Sequence, residues 1–524
     1  MLHCVLARIP LDFYRMAYRL VKRFLIIAHL YAGFALCMLF VVWFVSGIFM
    51  AYYRAPTVNE AGRLDFAPTL SAQSAASSLP PARVGALASR WQQVEILRLG
   101  EISGRPIYRW RARDTGWHSA WADTGDAAEF DTATLTAEAR RWLGTAYEPQ
   151  YRGTYREHSQ WTFFQAARPH YPLHRFSTGG LGAREVYLSS RTGEPVVATT
   201  PGSRLMYYLG PGLHYFSLYF VRNNDSLWRN LVNWSSGIAA ATCLVGIVLG
   251  LWQMRWRAFR QGSKVIPYTK PWMRWHHLFG LWFGLLAFTF VLSGLFSMNP
   301  GRIFPSAQVP SPLARAYMGP MPAADAVPSP VEVAQAAGAQ AAVREYEWQR
   351  VRGNAVALVV ATPDQRTLIT HGAGGWQFSL PFTASELVRH LEGLEIAGIV
   401  RSEWLTAFDN YYYARKDRWL PLPVLRLRLD DSDGTWLYLD PATGRLFMLS
   451  NEGTRLRRWL YNGLHSFDLQ LLLSRGLTWD VAIWSASLAG LALSVTSAVI
   501  SWQWLRRRRS RTAWRAPRTT RSAH

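Results

Sequence analysis

The chain has 524 residues, half of them apolar, and a formal net charge of +23. It is too long for one small domain. Its charge would suit a nucleic-acid-binding protein if it covered one continuous surface. Instead, 19 basic residues and one acidic residue are concentrated in three short segments, 1–23, 255–274 and 506–524. Nucleic acid is therefore not expected as a partner.

Stretches without Lys, Arg, Asp or Glu alternate with these basic segments, and each can cross a hydrocarbon core of roughly 30 Å. They predict four transmembrane helices, at 24–53, 230–254, 275–299 and 481–505. Basic residues in short loops mark the cytoplasmic side of a membrane. We therefore expect a multi-pass membrane protein with a cytoplasmic N-terminus (1–23), a cytoplasmic loop (255–274), a cytoplasmic basic tail (506–524) and two long outer loops, which are periplasmic if the host is Gram-negative.

The two halves of the chain repeat one pattern over about 250 residues. "AHLYAGFALCMLFVVWFVSGIF" from Ala28 aligns with "WHHLFGLWFGLLAFTFVLSGLF" from Trp275, and "GLHYF" aligns with "GLHSF". The expected fold is four transmembrane helices in two parallel repeats, related by a pseudo-two-fold axis along the membrane normal. Each repeat is expected to carry a large α+β periplasmic domain, at 54–211 and 300–462.

Local patterns predict several further elements. "VYLSSRTGEP" (186–195) and "LYLDPATGRL" (437–446) are typical of β-hairpins. The other predictions are short helices at 136–143 and 383–391, a strand at 424–430, and a Pro- and Ala-rich linker at 305–330. A continuous helix from each "GLH" motif would be more than twice as long as a bilayer requires. We therefore expect breaks at 222–225 and 474–476, with interfacial segments at 212–229 and 463–480.

Four histidines occupy matched positions in the two halves. His29 and His276 lie near the predicted cytoplasmic ends of the first and third helices, and His214 and His465 lie in the "GLH" motifs. An ionisable residue within a membrane is a candidate for function, and a haem iron can take imidazoles on both of its faces. Because the depths differ, we expect two haems per chain, one between His29 and His276 and one between His214 and His465. No C-x-x-C-H motif occurs, so haem b is expected.

Glycines support this interpretation of the first and third helices. Gly33 and Gly47 lie on the helix face of His29, and Gly280 and Gly294 lie on that of His276. Such faces would leave a flat slot, although glycines in membrane helices also serve close packing alone. His277 points about 100° away from this face, so His276 is the preferred ligand.

Two arginines and six further histidines have open interpretations. Arg204 and Arg455 each precede an outer histidine by ten residues. They could bind haem propionates or be ordinary juxtamembrane arginines. The loop histidines have no repeat partner and are expected to be solvated surface residues, although "RPHYPLHRF" (168–176) could attract a metal; they are His118, His158, His170, His174, His371 and His390.

The chain resembles the PepSY-associated transmembrane helix proteins over residues 24–505. The motifs that carry the resemblance are "GLHSF", "WLYLDPATG" and "RWLPLPVLRL" (418–427). The resemblance implies a four-helix inner-membrane protein with PepSY-like periplasmic domains, and it makes His29, His214, His276 and His465 the ligand candidates. It also implies reduction of a ferric siderophore in the periplasm. The long outer loops, and "VYLSSRTG" in the first half, depart from the family pattern and leave the substrate open.

The expected function is therefore transmembrane electron transfer by a haem-dependent ferric reductase. The electrons would come from a cytoplasmic reductase or a membrane quinol, because no nucleotide-binding motif is present. The alternative is a non-enzymatic membrane-anchored PepSY module that binds or inhibits a periplasmic protease or envelope partner. A transporter is less consistent with the sequence, since the predicted spans carry no acidic residue.

The membrane orientation can be tested with fusions. Alkaline phosphatase folds only outside the cytoplasm, so a fusion near Pro310 should be active and a fusion at the C-terminus inactive. The reverse pattern would overturn the predicted orientation and the periplasmic location of the substrate.

Overall fold

The computed structural model describes residues 11–180, 182–261, 265–338, 342–415 and 419–513. Outside the described residues lie the outer parts of the predicted cytoplasmic ends, 1–10 and 514–524, and four internal stretches, 181, 262–264, 339–341 and 416–418. The chain forms two compact units. The membrane-helix unit comprises Met1–Arg54, Met206–Ile303 and Arg457–His524, and the sheet unit comprises Ala55–Leu205 and Phe304–Leu456.

The described residues form helices of very different lengths, and the four longest belong to the membrane-helix unit. In chain order the α-helices are α1 Leu11–Tyr52, α2 Glu60–Phe66, α3 Ala72–Ser77, α4 Gly85–Ala88, α5 Thr132–Leu143, α6 Pro201–Tyr207, α7 Tyr219–Arg222, α8 Asp225–Gln253, α9 Trp256–Arg260, α10 Pro271–Ser297, α11 Ser311–Met318, α12 Pro330–Ala337, α13 Ala384–Arg389, α14 Glu452–Arg457, α15 Leu464–Ser466, α16 Gln470–Leu473 and α17 Thr478–Ala513.

Helices α1, α8, α10 and α17 are each long and apolar enough to cross a membrane. They contain the four predicted spans almost entirely and extend beyond most of their ends, because the flanking polar residues continue the helix. The predicted break at 222–225 is confirmed: the side chain of Asn224 caps α8 by accepting a hydrogen bond from the Leu227 amide. The second break is confirmed at Gly476, whose positive φ of 57° separates α16 from α17.

Both "GLH" motifs follow a π-helical stretch, Tyr208–Gly212 in the first half and Arg458–Gly463 in the second. Shortly after each motif a phenylalanine takes a left-handed conformation, with φ of 52° at Phe216 and 49° at Phe467. The wide turns of a π-helix are rare and occur often at functional sites. In both halves the π-helical stretch places the histidine at the end of an irregular helical segment.

The strands of the sheet unit are β1 Val94–Ile102, β2 Arg105–Ala112, β3 Gly116–Trp121, β4 Gln150–Tyr155, β5 Leu173–Ser177, β6 Glu185–Ser189, β7 Pro195–Thr199, β8 Glu345–Val351, β9 Asn354–Val360, β10 Arg366–Gly372, β11 Gly375–Ser379, β12 Ile399–Leu405, β13 Val424–Leu429, β14 Trp436–Asp440 and β15 Arg445–Ser450. They form a seven-stranded sheet in the order β11-β10-β9-β8-β1-β2-β3, and two four-stranded sheets, β4-β5-β6-β7 and β12-β13-β14-β15.

The seven-stranded sheet contains strands from both halves of the chain. Strand β1 pairs antiparallel with β8, with Leu97 opposite Trp348 and Arg98 opposite Glu347. The sequence predicted one α+β domain in each half, and it gave no sign that they share a sheet. This pairing makes the two predicted domains one compact unit.

Most local predictions for this unit are confirmed. Both hairpins form, as β6–β7 and β14–β15. The helix predicted at 136–143 is part of α5, the helix predicted at 383–391 contains α13, and the strand predicted at 424–430 is β13. The linker prediction for 305–330 is wrong in part, because Ser311–Met318 is helix α11. Tyr317 on this helix is 2 % exposed and donates a hydrogen bond of 2.7 Å to the Gly444 carbonyl, so burial of one aromatic side chain fixes the helix in place.

A buried ion cluster joins the two halves beside the β1–β8 pair. Arg63 makes a bidentate contact with Glu345, at 2.7 and 2.9 Å. Arg98 contacts Glu194 at 3.0 Å, and Arg63 reaches the same carboxylate at 3.2 Å. Burial opposes ionisation of Glu194, but the guanidinium groups of Arg98, Arg109 and Arg63 outweigh it and hold the pKa of that carboxyl well below its usual range.

Glu194→Gln should destabilise the sheet unit by about 3–5 kcal/mol, because it leaves buried arginines without their carboxylate. Urea unfolding of the full chain, followed by tryptophan fluorescence, measures this. Glu148→Gln is the matched control, because the Glu148 side chain is 74 % exposed beside Arg140, and it should change stability by less than about 1 kcal/mol. Equal stability of the two variants would contradict a structural role for the cluster.

Urea unfolding at several pH values shows whether the free energy of unfolding rises or falls when Glu194 is protonated. Because the folded-state pKa of Glu194 is depressed, its contribution is complete above the unfolded carboxyl pKa of about 4.3 and is lost as the pH falls below it. The difference between wild type and Glu194→Gln should therefore shrink in acid.

Candidate functional site

The first histidine pair consists of His29 on α1 and His276 on α10. Their ring centres are 6.3 Å apart. The Nδ1 atom of His29 is 3.1 Å from the Thr242 carbonyl on α8, and the Nδ1 atom of His276 is 3.0 Å from the Thr496 hydroxyl on α17. Each imidazole is therefore oriented by a helix other than its own.

The second histidine pair consists of His214 and His465, from the two "GLH" motifs. Their ring centres are 6.0 Å apart. Nδ1 of His214 is 3.1 Å from the Ser46 hydroxyl, and Nδ1 of His465 is 3.2 Å from the Ser293 hydroxyl and 2.9 Å from the Phe290 carbonyl. The structure thus brings together the same two pairs that the sequence predicted.

The hydrogen-bond partners also define the tautomers. A carbonyl only accepts, so Nδ1 of His29 and Nδ1 of His465 carry hydrogen. The hydroxyls of Ser46 and Thr496 donate to the carbonyls of Trp43 and Leu493, so they are free to accept from their imidazoles. The lone pair of His29 and of His465 is therefore on Nε2, and Nε2 has no hydrogen-bond partner among the described residues in any of the four rings.

This arrangement suits a metal ion held between two imidazoles. Metal-bound histidines commonly donate their second ring nitrogen to a carbonyl or another acceptor, which fixes tautomer and ring orientation. A metal–nitrogen bond of about 2 Å on each side, with about 1.1 Å from each nitrogen to its ring centre, gives ring centres about 6 Å apart. Both measured separations agree with this value, so the residues present fit bis-histidine haem ligation.

The two pairs are well separated along α1. Ser46, which contacts the second pair, lies 17 residues after His29, which corresponds to about 25 Å of helix. Most of a hydrocarbon core of roughly 30 Å lies between the pairs. A single cofactor between two ring planes cannot use one histidine from each pair, so two separate sites are required.

The glycines on these faces take two different roles. A Cβ atom at Gly33 or Gly280 would meet no atom within 4 Å, so open space lies next to the first pair. A Cβ atom at Gly47 or Gly294 would lie 3.4 or 3.2 Å from Cε1 of His214 or His465. These two glycines therefore pack against the imidazoles of the second pair, which the slot interpretation did not foresee.

His277, Arg204 and Arg455 make other contacts. His277 is buried and contacts the ring of Tyr268, in agreement with the choice of His276. In the sheet unit, Arg204 donates to the Thr199 hydroxyl and the Ala183 carbonyl. Arg455 lies over the ring of Trp436 at 4.2 Å. Binding of haem propionates by Arg204 and Arg455 stays a prediction.

Among the residues that the structure describes, no group of three or more potential metal ligands occurs, so metal binding by the loop histidines stays an open interpretation. The expectation that they are solvated is wrong for His170. It stacks on Trp117, its Nδ1 is buried without a partner, and burial lowers its pKa to about 4.

The groups that orient the imidazole rings were not identified from the sequence. Ser46 and Ser293 occupy matched positions in the alignment of the two halves, and this match could have identified them. Thr242 and Thr496 give no such signal, because the alignment does not match these two positions. Gly246 was missed as well: a Cβ atom there would lie 2.6 Å from Cε1 of His29.

Comparison with known proteins adds a family match. A family model described as the PepSY-associated TM region matches residues 26–380, which is more than half of the chain. The match includes His29, His214 and His276 and ends before His465. No curated protein matches the sequence.

Gly246→Ala should displace the His29 imidazole, because the added methyl group would overlap the ring. If His29 binds haem, the variant should lose up to half of the haem of the wild type, as measured by pyridine haemochrome absorbance per chain. Gly237→Ala on the same helix is the control, since a Cβ atom there meets nothing within 4 Å. Equal losses in both variants would indicate a general packing defect and contradict the specific contact.

Proposed function

Because the chain belongs to the family of the PepSY-associated TM region, we propose that it is a transmembrane electron-transfer protein. In this proposal it holds two haem b groups and reduces ferric iron, in the form of a ferric siderophore, on the periplasmic side of the bacterial inner membrane. The observation that carries the proposal is a pair of imidazoles at each of two depths, with ring centres 6.3 and 6.0 Å apart. In each ring Nδ1 has a carbonyl or hydroxyl partner.

We also propose that the membrane-helix unit is built from two parallel repeats. Equivalent residues make equivalent contacts in the two halves: Ser46 with His214 and Ser293 with His465, at 3.1 and 3.2 Å. The indole N–H of Trp228 donates to the Tyr215 carbonyl, and that of Trp479 donates to the Ser466 carbonyl, at 2.7 and 2.8 Å. A pseudo-two-fold relation would place the paired ligands on opposite faces of each cofactor.

The chain's own residues have three tasks in this function. They would supply the imidazole nitrogens that hold the haem, orient the imidazole rings through Nδ1, and surround the sites with apolar side chains. One of these is Phe290, which is 9 % exposed and packs 5.8 Å from the His465 ring. A haem held in this way supplies reversible one-electron transfer between ferric and ferrous iron. No acid or base catalyst is needed, and ligand, burial and hydrogen bonding set the potential.

The proposed direction of electron transfer rests on the charge distribution. In the orientation that basic segments 1–23, 255–274 and 506–524 predict, the His29–His276 pair would lie near the cytoplasm and the His214–His465 pair near the periplasm. The electron donor would be a separate cytoplasmic reductase or a membrane quinol. The acceptor, ferric iron in a complex with hard oxygen ligands, takes one electron, and the ferrous product is bound more weakly and released.

Haem content tests the cofactor proposal. The purified chain should contain about two haems, both low-spin and b-type. His29→Ala and His465→Ala should each retain about half, because the two sites use different residues and depths. His277→Ala is the matched control: it removes an adjacent imidazole that contacts Tyr268 rather than His29, and it should keep both haems. A colourless protein that does not take up added haem would favour the alternative, a membrane-anchored binding module.

Activity tests the direction. In membranes supplied with the physiological donor, His465→Ala should abolish reduction of a periplasmic ferric siderophore while the remaining haem is still reduced. In His29→Ala the remaining haem should be reduced by dithionite but not by the donor. Full ferric reduction by His465→Ala would contradict the proposed order of sites.

A further inference from the structure

The sheet unit contains a cavity of about 550 Å³ beside the β1–β8 pair. This volume is typical of sites for small organic molecules. The walls come from both halves of the chain. They include three buried indoles, Trp91, Trp117 and Trp348, which are 5, 9 and 4 % exposed. The cavity is not part of the histidine sites described above.

Two of the indoles are held rigidly. Trp91 Nε1 donates to the Pro322 carbonyl at 2.7 Å, and Trp348 Nε1 donates to the Pro328 carbonyl at 2.8 Å. With their only polar atoms occupied, these rings present apolar surface to a ligand. Fixed aromatic surface of this kind favours stacking with a flat apolar group at a low cost in side-chain entropy.

The arginines that line the cavity differ in their ionic partners. Arg63 and Arg98 are paired with Glu345 and Glu194, and Arg445 is paired with Glu347. Arg350 has no carboxylate within ion-pair distance among the described residues. It is therefore the cationic group of the cavity that is available to an anion from outside the chain.

Backbone and thioether groups hold the Arg350 side chain in the cavity wall. Its Nε donates to the Gly319 carbonyl at 3.1 Å, and its Nη1 donates to the Val94 carbonyl at 3.4 Å and to the Met321 sulfur at 2.9 Å. Glu95 is the acidic residue of the lining that acts on Arg350 electrostatically, and it is engaged by Arg111 at 3.1 Å. The hydrogen-bond partners of the Arg350 guanidinium are neutral, so they fix its position without balancing its charge.

Partial burial makes that charge costly. Desolvation lowers the pKa of Arg350 from its ordinary value and the charge of Arg113 lowers it further, while the charge of Glu95 offsets only part of this shift. An anion at this position would restore the lost stabilisation, and a guanidinium binds a carboxylate with two parallel hydrogen bonds. The combination of one unpaired guanidinium with rigid indoles defines the chemistry of the ligand.

We propose that this cavity binds a small aromatic carboxylate, with its carboxylate at Arg350 and its ring against Trp91 and Trp348. The proposal is independent of haem binding and of ferric iron reduction. Binding should therefore be unchanged in the His465→Ala variant, so failure of the electron-transfer proposal would leave it intact.

The test uses the full chain in lipid nanodiscs and three probes of similar size: benzoate, benzamide and benzylamine. Saturation-transfer NMR titrations against empty nanodiscs give the affinity of each probe. Benzoate should bind at least about tenfold more tightly than benzamide, since only the anion gains the charged hydrogen bonds, and benzylamine should not bind. Equal affinities for benzoate and benzamide in the unmodified chain would overturn the proposal.

Substitutions locate the site. Arg350→Gln should weaken benzoate binding at least about tenfold, and Arg350→Lys should restore part of it, because the charge remains while the bidentate geometry is lost. Arg105→Gln is the matched control, since that guanidinium also lies over an indole, Trp121, at 4.1 Å but is paired with Asp123 and is not in the cavity lining. Unchanged binding in Arg350→Gln, or an equal loss in Arg105→Gln, would also overturn it.

Discussion

The membrane-helix unit depends on one constraint: an imidazole buried among apolar helices must find its hydrogen-bond partner within the protein. All four paired histidines meet this requirement through Nδ1, at distances from 2.9 to 3.2 Å. Where the partner of Nδ1 is a carbonyl, as for His29 and His465, the hydrogen bond also leaves the lone pair on Nε2. The hydrogen bonds that make buried histidines tolerable would thus also orient them as the metal ligands that we propose.

The sheet unit rests on a different interaction, the pairing of β1 with β8. This pairing continues a three-stranded sheet from the first half into a four-stranded sheet from the second. The ion cluster beside it buries Glu194 and Glu345 among arginines, an arrangement that is costly unless every charge has a partner. In the same unit Arg350 lacks a carboxylate partner among the described residues. That contrast distinguishes charges that hold the fold together from one that is available to a ligand.

Local sequence patterns were reliable wherever a single element could satisfy them. The hairpins at β6–β7 and β14–β15, the capped start of α8 at Asn224 and the break at Gly476 all follow from nearby residues. The Pro-rich segment 305–330 was predicted as a linker because prolines interrupt regular structure. Pro312, however, occupies the first turn of α11, where a proline's missing amide is tolerated, and burial of Tyr317 stabilises the helix.

The sequence by itself determined the four long apolar helices and the pairing of His29 with His276 and of His214 with His465, because hydropathy and repeat spacing are properties of the chain. It also favoured His276 over His277 through helical periodicity. Only the tertiary structure decided which groups orient the imidazoles, since Thr242 and Thr496 reach them from other helices and occupy positions that the repeat alignment does not match. It also decided that the halves share one sheet and enclose a cavity. Such contacts depend on the side chains that meet after folding, and no local pattern in the sequence records them.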